Sequence, residues 1–161
     1  MNGFADSYLG RLRAVVGDRL LLVPGARIVI ERDDGRILMQ KRADFGVWGL
    51  PGGNAEDGDS VLQTIVRETR EETGLDVVAP RPFGHGSEPR YERFTYPNGD
   101  RLHAHVLMFY TNEFSGELAG DDETLALDWF APTALPDTLP NMVRSIEAYL
   151  RFKATGQFQL I

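Results

Sequence analysis

With 161 residues, of which 42% are hydrophobic and 25% charged, the chain has the size and composition of one globular domain, and we expect residues 1–161 to form it. The net charge of −7 argues against the basic surface that binding of duplex nucleic acid requires, and no apolar run approaches the roughly 18 residues of a membrane span. Because the sequence contains no cysteine, disulfides and thiolate chemistry are excluded, and we expect a cytoplasmic location.

The first predicted element is an amphipathic helix within residues 1–18. Its apolar residues recur at helical spacing: Phe4, Tyr8, Leu9, Leu12, Val15 and Val16. This pattern would bury one face and leave Arg11 and Arg13 exposed. The segment lacks the basic start and unbroken apolar run of a secretory signal. The buried face has two alternative partners, the sheet of its own chain or that of a second copy, so the sequence leaves a homodimer open.

Two β-hairpins are predicted, one on each side of a glycine loop and a helix. The first lies within residues 26–42 and turns at Asp33, Asp34 and Gly35. The sequence GVWGLPGG follows, and its four glycines and one proline predict a loop over residues 46–59. Residues 75–86 predict a strand that breaks at its prolines, and the second hairpin turns at residues 97–100.

Two more helices and a last strand complete the predicted elements. The helix over residues 60–73 has Ser60 to cap its start and Gly74 to end it. The sequence LALDWFAP predicts a strand, and residues 141–153 predict a closing helix. Strands with helices between and after them favour an α/β or α+β architecture, in which helices pack on a mixed sheet.

Three glutamates stand close together on the helix over residues 60–73. Glu68, Glu71 and Glu72 have the spacing i, i+3 and i+4, which brings their carboxylates to one face. Hard oxygen ligands of this kind suit Mg²⁺ or Mn²⁺. Because Arg67 and Arg70 alternate with these acids, the charge pattern alone also fits an exposed, ion-paired helix. The preceding glycine loop favours the metal site, since it offers backbone oxygens and close access for a phosphate group.

From residue 53 to residue 75 the chain resembles the signature of the Nudix hydrolases. That signature is a glycine, five residues, a glutamate, seven residues and then R-E-U-x-E-E-x-G-U, where U is a bulky aliphatic residue. Seven of its nine positions agree with the sequence: Gly53, Arg67, Glu68, Glu71, Glu72, Gly74 and Leu75. Asp59 stands where the signature has glutamate, and Thr69 where it has an aliphatic residue. The resemblance covers most of the chain from about residue 25 and leaves out the N-terminal helix.

This resemblance implies an α/β/α sandwich with a mixed β-sheet and a catalytic loop–helix–loop motif. It implies hydrolysis of a pyrophosphate bond in a nucleoside triphosphate, or in a nucleoside diphosphate linked to another moiety. The metal, Mg²⁺ or Mn²⁺, would be held by Glu68, Glu71 and Glu72, and the Gly53 carbonyl could join them. Arg67 would hold the carboxylates in place.

The proton acceptor for the attacking water has two candidates. In the family this base is not always the same residue, so either Glu68 or an acid of a later loop could serve, and we select Glu123 for the latter. A solvated loop acid is an equally ordinary interpretation of Glu123.

The two departures from the signature keep a second function open, a Nudix domain that senses a nucleotide without hydrolysing it. Asp59 is one methylene shorter than glutamate and would weaken or shift a contact near Arg67. Thr69 would cost some apolar burial, on the order of 1 kcal/mol. The substrate stays open as well, because Pro89 and Tyr91 lie near the marker positions of two different branches, the ADP-ribose hydrolases and the dinucleoside polyphosphate hydrolases.

The three histidines have competing interpretations. His103 and His105 alternate with apolar residues in a predicted strand and would share one sheet face, and nothing places a nucleophile beside them or beside His85. Structural roles are therefore favoured over metal binding or catalysis.

Two further pairs of residues have both a structural and a functional interpretation. Lys41 and Arg42 end a strand near the glycine loop and could meet substrate phosphates, although such residues are usually just exposed. Trp48 and Trp129 could stack on a base, although packing is the commoner role of a large aromatic residue.

Overall fold

The computed structural model describes residues 4–161, and its elements have the predicted α+β character. The helices are α1 (Tyr8–Val16), α2 (Val61–Thr73), α3 (Pro89–Glu92) and α4 (Pro140–Thr155). The strands are β1 (Leu21–Ile30), β2 (Ile37–Arg42), β3 (Trp48–Gly49), β4 (Gly52–Asn54), β5 (Leu75–Val77), β6 (Arg81–Gly86), β7 (Arg93–Thr95), β8 (Arg101–Thr111), β9 (Phe114–Gly116), β10 (Thr124–Phe130) and β11 (Gln159–Leu160). A short 3₁₀ turn, Phe4–Asp6, precedes α1.

The main sheet has the strand order β11-β6-β8-β1-β4, and β7 pairs with β8 beside this path. Strands β1 and β8 are parallel over ten residue pairs, whereas β4, β6 and β7 run antiparallel to their neighbours, so the sheet is mixed as predicted. A second sheet has the order β10-β2-β3, and β5 pairs with β9.

Helices α2 and α4 cover different sides of these sheets. Ile65 of α2 belongs to a buried cluster with Ile28, Ile30 and Leu38, and α4 contributes to another cluster that contains Val29 and Met39. Consecutive residues of β1 and β2 therefore alternate between the two clusters, as the side chains of a strand do. The α4 side chains in the second cluster are Met142, Ile146, Ala148 and Tyr149.

The predicted first hairpin is wrong beyond its turn. Gly35 has a φ of 78° and its N–H donates to the Arg32 carbonyl at 2.9 Å, and Glu31 and Ile37 form one antiparallel bridge. Past that bridge the strands separate into different sheets. Both hydrogen-bonding edges of β1 are occupied, by β8 and by β4, so β2 must find its backbone partners elsewhere.

The predicted loop over residues 46–59 contains two short strands, β3 and β4. Gly52 pairs with Arg27 of β1 and has a φ of +148°, and a β-carbon at Gly52 would lie 2.6 Å from the Arg27 Cα atom. Only glycine fits this close approach, so the glycines predicted to free the backbone instead let it pair with the central strand.

The predicted N-terminal helix is present as α1, but its predicted buried face is wrong. Leu9 is buried against Val23 and Leu102, so α1 packs on the sheet of its own chain. Three of the residues expected inside are exposed: Phe4, Tyr8 and Val15. Residues 1–3 of the predicted segment lie outside the described residues.

Arg13, expected to be exposed, is buried because the surrounding backbone supplies acceptors for its guanidinium group. The side chain donates to the carbonyl of Gly17 at 3.1 Å, to that of Arg19 at 2.5 Å and to that of Arg101. Asp100 lies 3.8 Å away. A buried arginine whose guanidinium group donates to three carbonyls is compatible with an apolar face, and periodicity alone does not reveal such a case.

The remaining predicted elements are confirmed. The second hairpin forms from β7 and β8, although the first residues of the predicted segment, 90–92, belong to the helical turn Pro89–Glu92. Helix α2 begins with a capping box at Ser60 and Gln63 and ends at Gly74 with a φ of 75°. Within residues 4–161, no helix is both long enough and apolar enough to cross a membrane.

Candidate active site

The three α2 glutamates differ strongly in their surroundings. Glu72 is buried at 4% exposure, and its carboxylate accepts a hydrogen bond from the Gly52 N–H at 2.7 Å. Burial raises the pKa of Glu72 to about 8, although the Gly52 hydrogen bond and the nearby Arg42 charge both lower it. At the other extreme, the Glu71 side chain is 49% exposed. The consecutive residues Glu71 and Glu72 therefore place their side chains in solvent and in the protein interior, respectively.

Glu68 lies against the glycine loop. A β-carbon at Gly53 would overlap the Glu68 carboxylate, with Oε1 only 2.7 Å away, so glycine is required for Glu68 to approach the β4 backbone. Burial raises the pKa of Glu68, partly offset by the adjacent Arg67 charge. The Gly53 carbonyl oxygen faces Gly25, where a β-carbon would be 2.8 Å from it.

Arg67 connects the acids of this motif. Its Nη1 donates to Glu68 Oε1 at 2.7 Å and to Glu71 Oε2 at 3.3 Å, and its Nε donates to Asp59 Oδ2 at 3.1 Å. Its Nη2 reaches the Asn54 carbonyl at 3.3 Å. Asp59, although one methylene shorter than glutamate, therefore makes its contact with Arg67.

Thr69, the other departure from the signature, is fully buried on α2. Its hydroxyl donates to the Ile65 carbonyl one turn earlier at 2.7 Å. Because that hydrogen bond satisfies the hydroxyl within the helix, threonine replaces an aliphatic residue here without leaving a buried polar atom unpaired.

Glu123 belongs to the loop before β10, and this loop is tied to the motif. Gln40 Nε2 donates to Thr124 Oγ1 at 2.8 Å, and that hydroxyl oxygen lies 3.2 Å from the Glu72 carbonyl. Partial desolvation and the charges of neighbouring acids, Asp121 first among them, raise the pKa of Glu123. The charge of Glu123 also contributes to the raised pKa of Glu68, and the Thr124 hydrogen bond to the Glu72 carbonyl holds the Glu123 loop beside α2.

The carboxylates have the chemistry of a hard-metal site but are engaged with protein donors. Glu68 and Glu71 share Arg67, and Glu72 accepts from Gly52. Within the described residues 4–161, no three His, Cys, Asp or Glu side chains converge closely enough to hold an ion as they stand. Oxygen donors crowded in a partly buried place fit Mg²⁺ or Mn²⁺, because a cation would offset the repulsion and desolvation that raise the pKa of Glu68.

A shallow cleft with a volume of about 100 Å³ begins at Gly52 and Gly53 and extends over the main sheet. Residues of β1, β4 and β8 form its floor, and Asn141 and Met142 of α4 form one side. Three aromatic residues line it as well: Phe45, Phe94 and Tyr96. The Phe45 ring centroid is 5.6 Å from that of Tyr96 and 6.5 Å from that of Phe94. A planar ligand could stack on this aromatic wall with its phosphates at the glycine loop.

A buried ion pair lies beneath this cleft. Arg27 donates to both carboxylate oxygens of Glu92, at 2.9 and 2.8 Å, and to Ser145 Oγ at 2.8 Å. Asn141 Nδ2 lies 3.3 Å from Glu92, whereas Asn141 Oδ1 is buried and has no hydrogen-bond partner among the described residues. Sequence reasoning missed this network and the aromatic wall. The one feature of the sequence that could have indicated the network is Arg27, a charged residue inside the apolar run of β1.

Of the remaining sequence candidates, Arg42 alone lines the cleft, where it makes a two-pronged ion pair with Asp44. The tryptophans pack, since Trp48 meets Phe130 edge-on at 4.8 Å and Trp129 stacks on Phe114. Neither tryptophan lines the cleft.

His103 and His105 share one sheet face, as expected, and His85 of β6 lies on the same face. The His105 ring centroid lies 5.0 Å from that of His103 and 5.6 Å from that of His85. The Nε2 atom of His103 is hydrogen-bonded to the Ser87 carbonyl at 2.8 Å. The side chains of β8 that line the cleft, such as Leu102 and Ala104, alternate with these histidines, so the histidines lie on the opposite face of the sheet.

Comparison with known proteins finds consistent relatives. A model of the NUDIX domain matches residues 21–151. A Bacillus subtilis protein with the provisional name 8-oxo-dGTP diphosphatase is 31% identical over 127 residues, which cover 78% of each chain. The ADP-ribose pyrophosphatase of Methanocaldococcus jannaschii is 32% identical over 84% of this chain and 78% of its own. The crystal structure of a MutT NUDIX hydrolase from Burkholderia pseudomallei is similar with a TM-score of 0.62 and 31% identity, covering 80% of this chain and 98% of that one.

Proposed function

Since this chain belongs to the Nudix family of pyrophosphohydrolases, we propose that it is a Mg²⁺- or Mn²⁺-dependent enzyme. Its substrate would be a nucleoside triphosphate, or a nucleoside diphosphate linked to another moiety. The observation that carries this proposal is the continuity of the cleft, which runs from an aromatic wall to the two glycines that contact Glu68 and Glu72.

In the proposed site, Glu68, Glu71 and Glu72 would hold the metal, with the Gly53 carbonyl as a further oxygen ligand. When bound, the ion would neutralise phosphate oxygens and lower the pKa of a water molecule. Arg67 would orient Glu68 and Glu71 through the contacts described above.

A carboxylate must also take a proton from the attacking water. Glu123 is our proposed acceptor, because its side chain is exposed beside the motif and forms no hydrogen bond within the described residues. Glu68 is the alternative acceptor, but its Oε1 is already engaged by Arg67 at 2.7 Å.

The base of the substrate would lie on the aromatic wall. A purine offers the larger stacking surface, and both sequence relatives described above are named for purine nucleotides, 8-oxo-dGTP and ADP-ribose. Their names differ in the group attached to the pyrophosphate, so we propose a purine nucleotide and leave that group to experiment.

The test is release of phosphate and pyrophosphate from purine nucleoside triphosphates, nucleotide sugars, ADP-ribose and dinucleoside polyphosphates, with Mg²⁺ and with Mn²⁺. Glu72→Gln is expected to reduce turnover by at least about 100-fold, since a ligand charge is lost. It should stay folded, because the glutamine oxygen can still accept from the Gly52 N–H. Glu147→Gln on the exposed side of α4 is the matched control and should retain full activity.

Unchanged turnover in Glu72→Gln would overturn the proposed metal site. Nucleotide binding without cleavage of any compound would instead support the second candidate, a nucleotide-sensing Nudix domain.

A cytoplasmic location and a homodimer stay proposals. Because Leu9 anchors α1 to its own sheet, a dimer would have to use other residues, of which Tyr8 and Val15 are exposed. Light scattering on the purified protein tests the oligomeric state.

A further inference from the structure

Helix α1 contacts the loop that joins β4 to α2, residues 55–60. The N–H of Tyr8, the first residue of the helix, donates to Glu56 Oε2 of this loop at 2.8 Å. Ser7 caps the helix by accepting from the Gly10 N–H at 3.0 Å, so Glu56 satisfies a second of the N–H groups that a helix start leaves free. A carboxylate at this position also interacts favourably with the positive end of the helix dipole.

The rest of α1 is fixed to the main sheet, so the helix is a firm support for this contact. Leu9 is buried in a cluster with Leu102 and Ala104, which also line the cleft. The Arg13 side chain donates to the Arg101 carbonyl at the start of β8. Helix α1 therefore connects the sheet beneath the cleft with the loop before α2.

A series of hydrogen bonds leads from Glu56 to the proposed metal ligands. The Glu56 carbonyl accepts from the Asp59 N–H at 3.1 Å, and the Asp59 carboxylate accepts from Arg67 at 3.1 Å. Arg67 in turn binds the Glu68 carboxylate at 2.7 Å. It also donates to the Asn54 carbonyl at 3.3 Å, just before the loop. The contact with α1 thus fixes the middle of a loop whose two ends are held by Arg67.

We propose that α1 is a positioning element for the metal site, and that Glu56 is the positioning residue through which it acts. By holding Glu56, the helix keeps the loop in the arrangement in which Asp59 and Arg67 orient the glutamates of α2. This assignment rests on the proposed function, in which those glutamates hold Mg²⁺ or Mn²⁺. Helix α1 precedes residues 21–151, which the NUDIX domain model matches, so the support comes from outside the matched domain.

Removal of a single N–H group tests the contact without removing the helix. Tyr8→Pro keeps α1, because proline is favoured at the first position of a helix and Ser7 already has the extended backbone, with a ψ of 159°, that precedes a proline. The variant lacks only the donor to Glu56 and the tyrosine side chain. Tyr8→Ala loses the same side chain and retains the N–H, so it is the matched control. Glu56→Ala removes the acceptor, whereas Glu56→Gln keeps an oxygen that can accept.

Hydrogen exchange without metal measures the loop separately from catalysis. The Ala55 N–H donates to the Pro24 carbonyl at 3.0 Å and the Asp59 N–H donates to Glu56, so both amides report on opening of the loop. Both should exchange about tenfold faster in Tyr8→Pro and in Glu56→Ala, because a hydrogen bond to a charged group is lost. Tyr8→Ala and Glu56→Gln should exchange like the wild type. Circular dichroism verifies that each variant is folded.

Titration calorimetry with Mn²⁺ measures the consequence for the metal site. Residues that orient metal ligands typically change metal affinity by about 10- to 100-fold, and we expect about a tenfold loss in Tyr8→Pro and in Glu56→Ala. In turnover, these two variants should need about ten times more Mn²⁺ for half-maximal rate. Their kcat at saturating Mn²⁺ should be close to that of the wild type, because the ligands themselves are intact.

The proposal is overturned if the loop amides exchange equally in Tyr8→Pro and Tyr8→Ala, because α1 would then not hold the loop. It is also overturned if the loop opens while Mn²⁺ affinity stays at the wild-type value, since the contact would then be structural only. That second result would leave the proposed function intact. If instead the wild-type protein bound no Mn²⁺, the proposed function would fail, and with it the link from α1 to a metal site.

Discussion

At the scale of single residues, Gly53 determines where the Glu68 carboxylate can lie. Gly53→Ala would place a methyl group on that carboxylate and force it away from β4. A displacement of about 1 Å in a catalytic group can cost about 100-fold in rate, so we expect a loss of that size in metal-dependent turnover. Stability should change little, because the displaced atoms are the end of a flexible side chain.

Gly49→Ala is the matched control for this prediction. A β-carbon at Gly49 would lie 3.5 Å from Arg42 and Met142, which is ordinary van der Waals contact. Steady-state kinetics and thermal denaturation of both variants give the comparison. Equal activity in Gly53→Ala and Gly49→Ala would contradict the role assigned to Gly53.

At the scale of elements, the Arg27–Glu92 ion pair joins β1 to α3 and, through Ser145, to α4. Both side chains are nearly inaccessible, so removal of one partner leaves an uncompensated buried charge. Arg27→Met and Glu92→Leu should each lower the free energy of unfolding by about 3–5 kcal/mol. The double variant should lose less than the two single losses combined, because it buries no charge. Denaturant titration of all four proteins measures this cycle, and strictly additive losses would show that the pair is not coupled.

The histidines on β6 and β8 lead us to expect that the stability of the protein depends on pH. Burial and the neighbouring His105 charge lower the pKa of His85 below its ordinary value of 6.5, while Glu92 opposes them. Arg93, Arg101 and His103 carry further charged or titratable groups on this sheet face, since Arg93 pairs with His103 across β7 and β8 and Arg101 is two residues before His103.

Below pH 6.5, His85 therefore binds a proton more readily in the unfolded chain than in the folded chain. The free energy of unfolding should consequently fall as the pH decreases from 7 to 5. His85→Gln should make this decrease smaller. Chemical denaturation at several pH values measures it, and an unchanged profile in the variant would contradict the prediction.

At the scale of the whole molecule, the sequence predicted those elements whose structure depends on residues within the same segment. Helix α2 was predictable because Ser60 and Gly74 cap it within the segment itself. The separation of β1 from β2 was not predictable, because it depends on β8, whose residues pair with β1 residues 81 positions earlier in the chain. The glutamates of α2 could be identified from their spacing, because they too lie within one segment. The cleft could not, since Phe45, Phe94 and Asn141 meet only in the folded chain.

The whole molecule should also respond to the metal, because the proposed ligands belong to different parts of the chain. Glu68 and Glu72 contact the β4 backbone, and Glu72 also adjoins the loop that carries Glu123, so an ion at these carboxylates would tie α2 to both segments. A ligand that binds only the folded state at about 100 times its dissociation constant adds about 2.7 kcal/mol of stability. For a chain of this size that corresponds to a rise of roughly 5–10 °C in Tm.

We therefore expect Mg²⁺ or Mn²⁺ to raise the Tm of the wild-type protein, and a chelator to reverse the rise. Glu72→Gln should show a much smaller shift, because it lacks one charged ligand, whereas Glu147→Gln should respond like the wild type. Thermal denaturation with and without each ion gives the measurement. An equal rise in Glu72→Gln would place the stabilising ion elsewhere on the acidic surface, since the buried carboxylate of α2 would then contribute nothing to its binding.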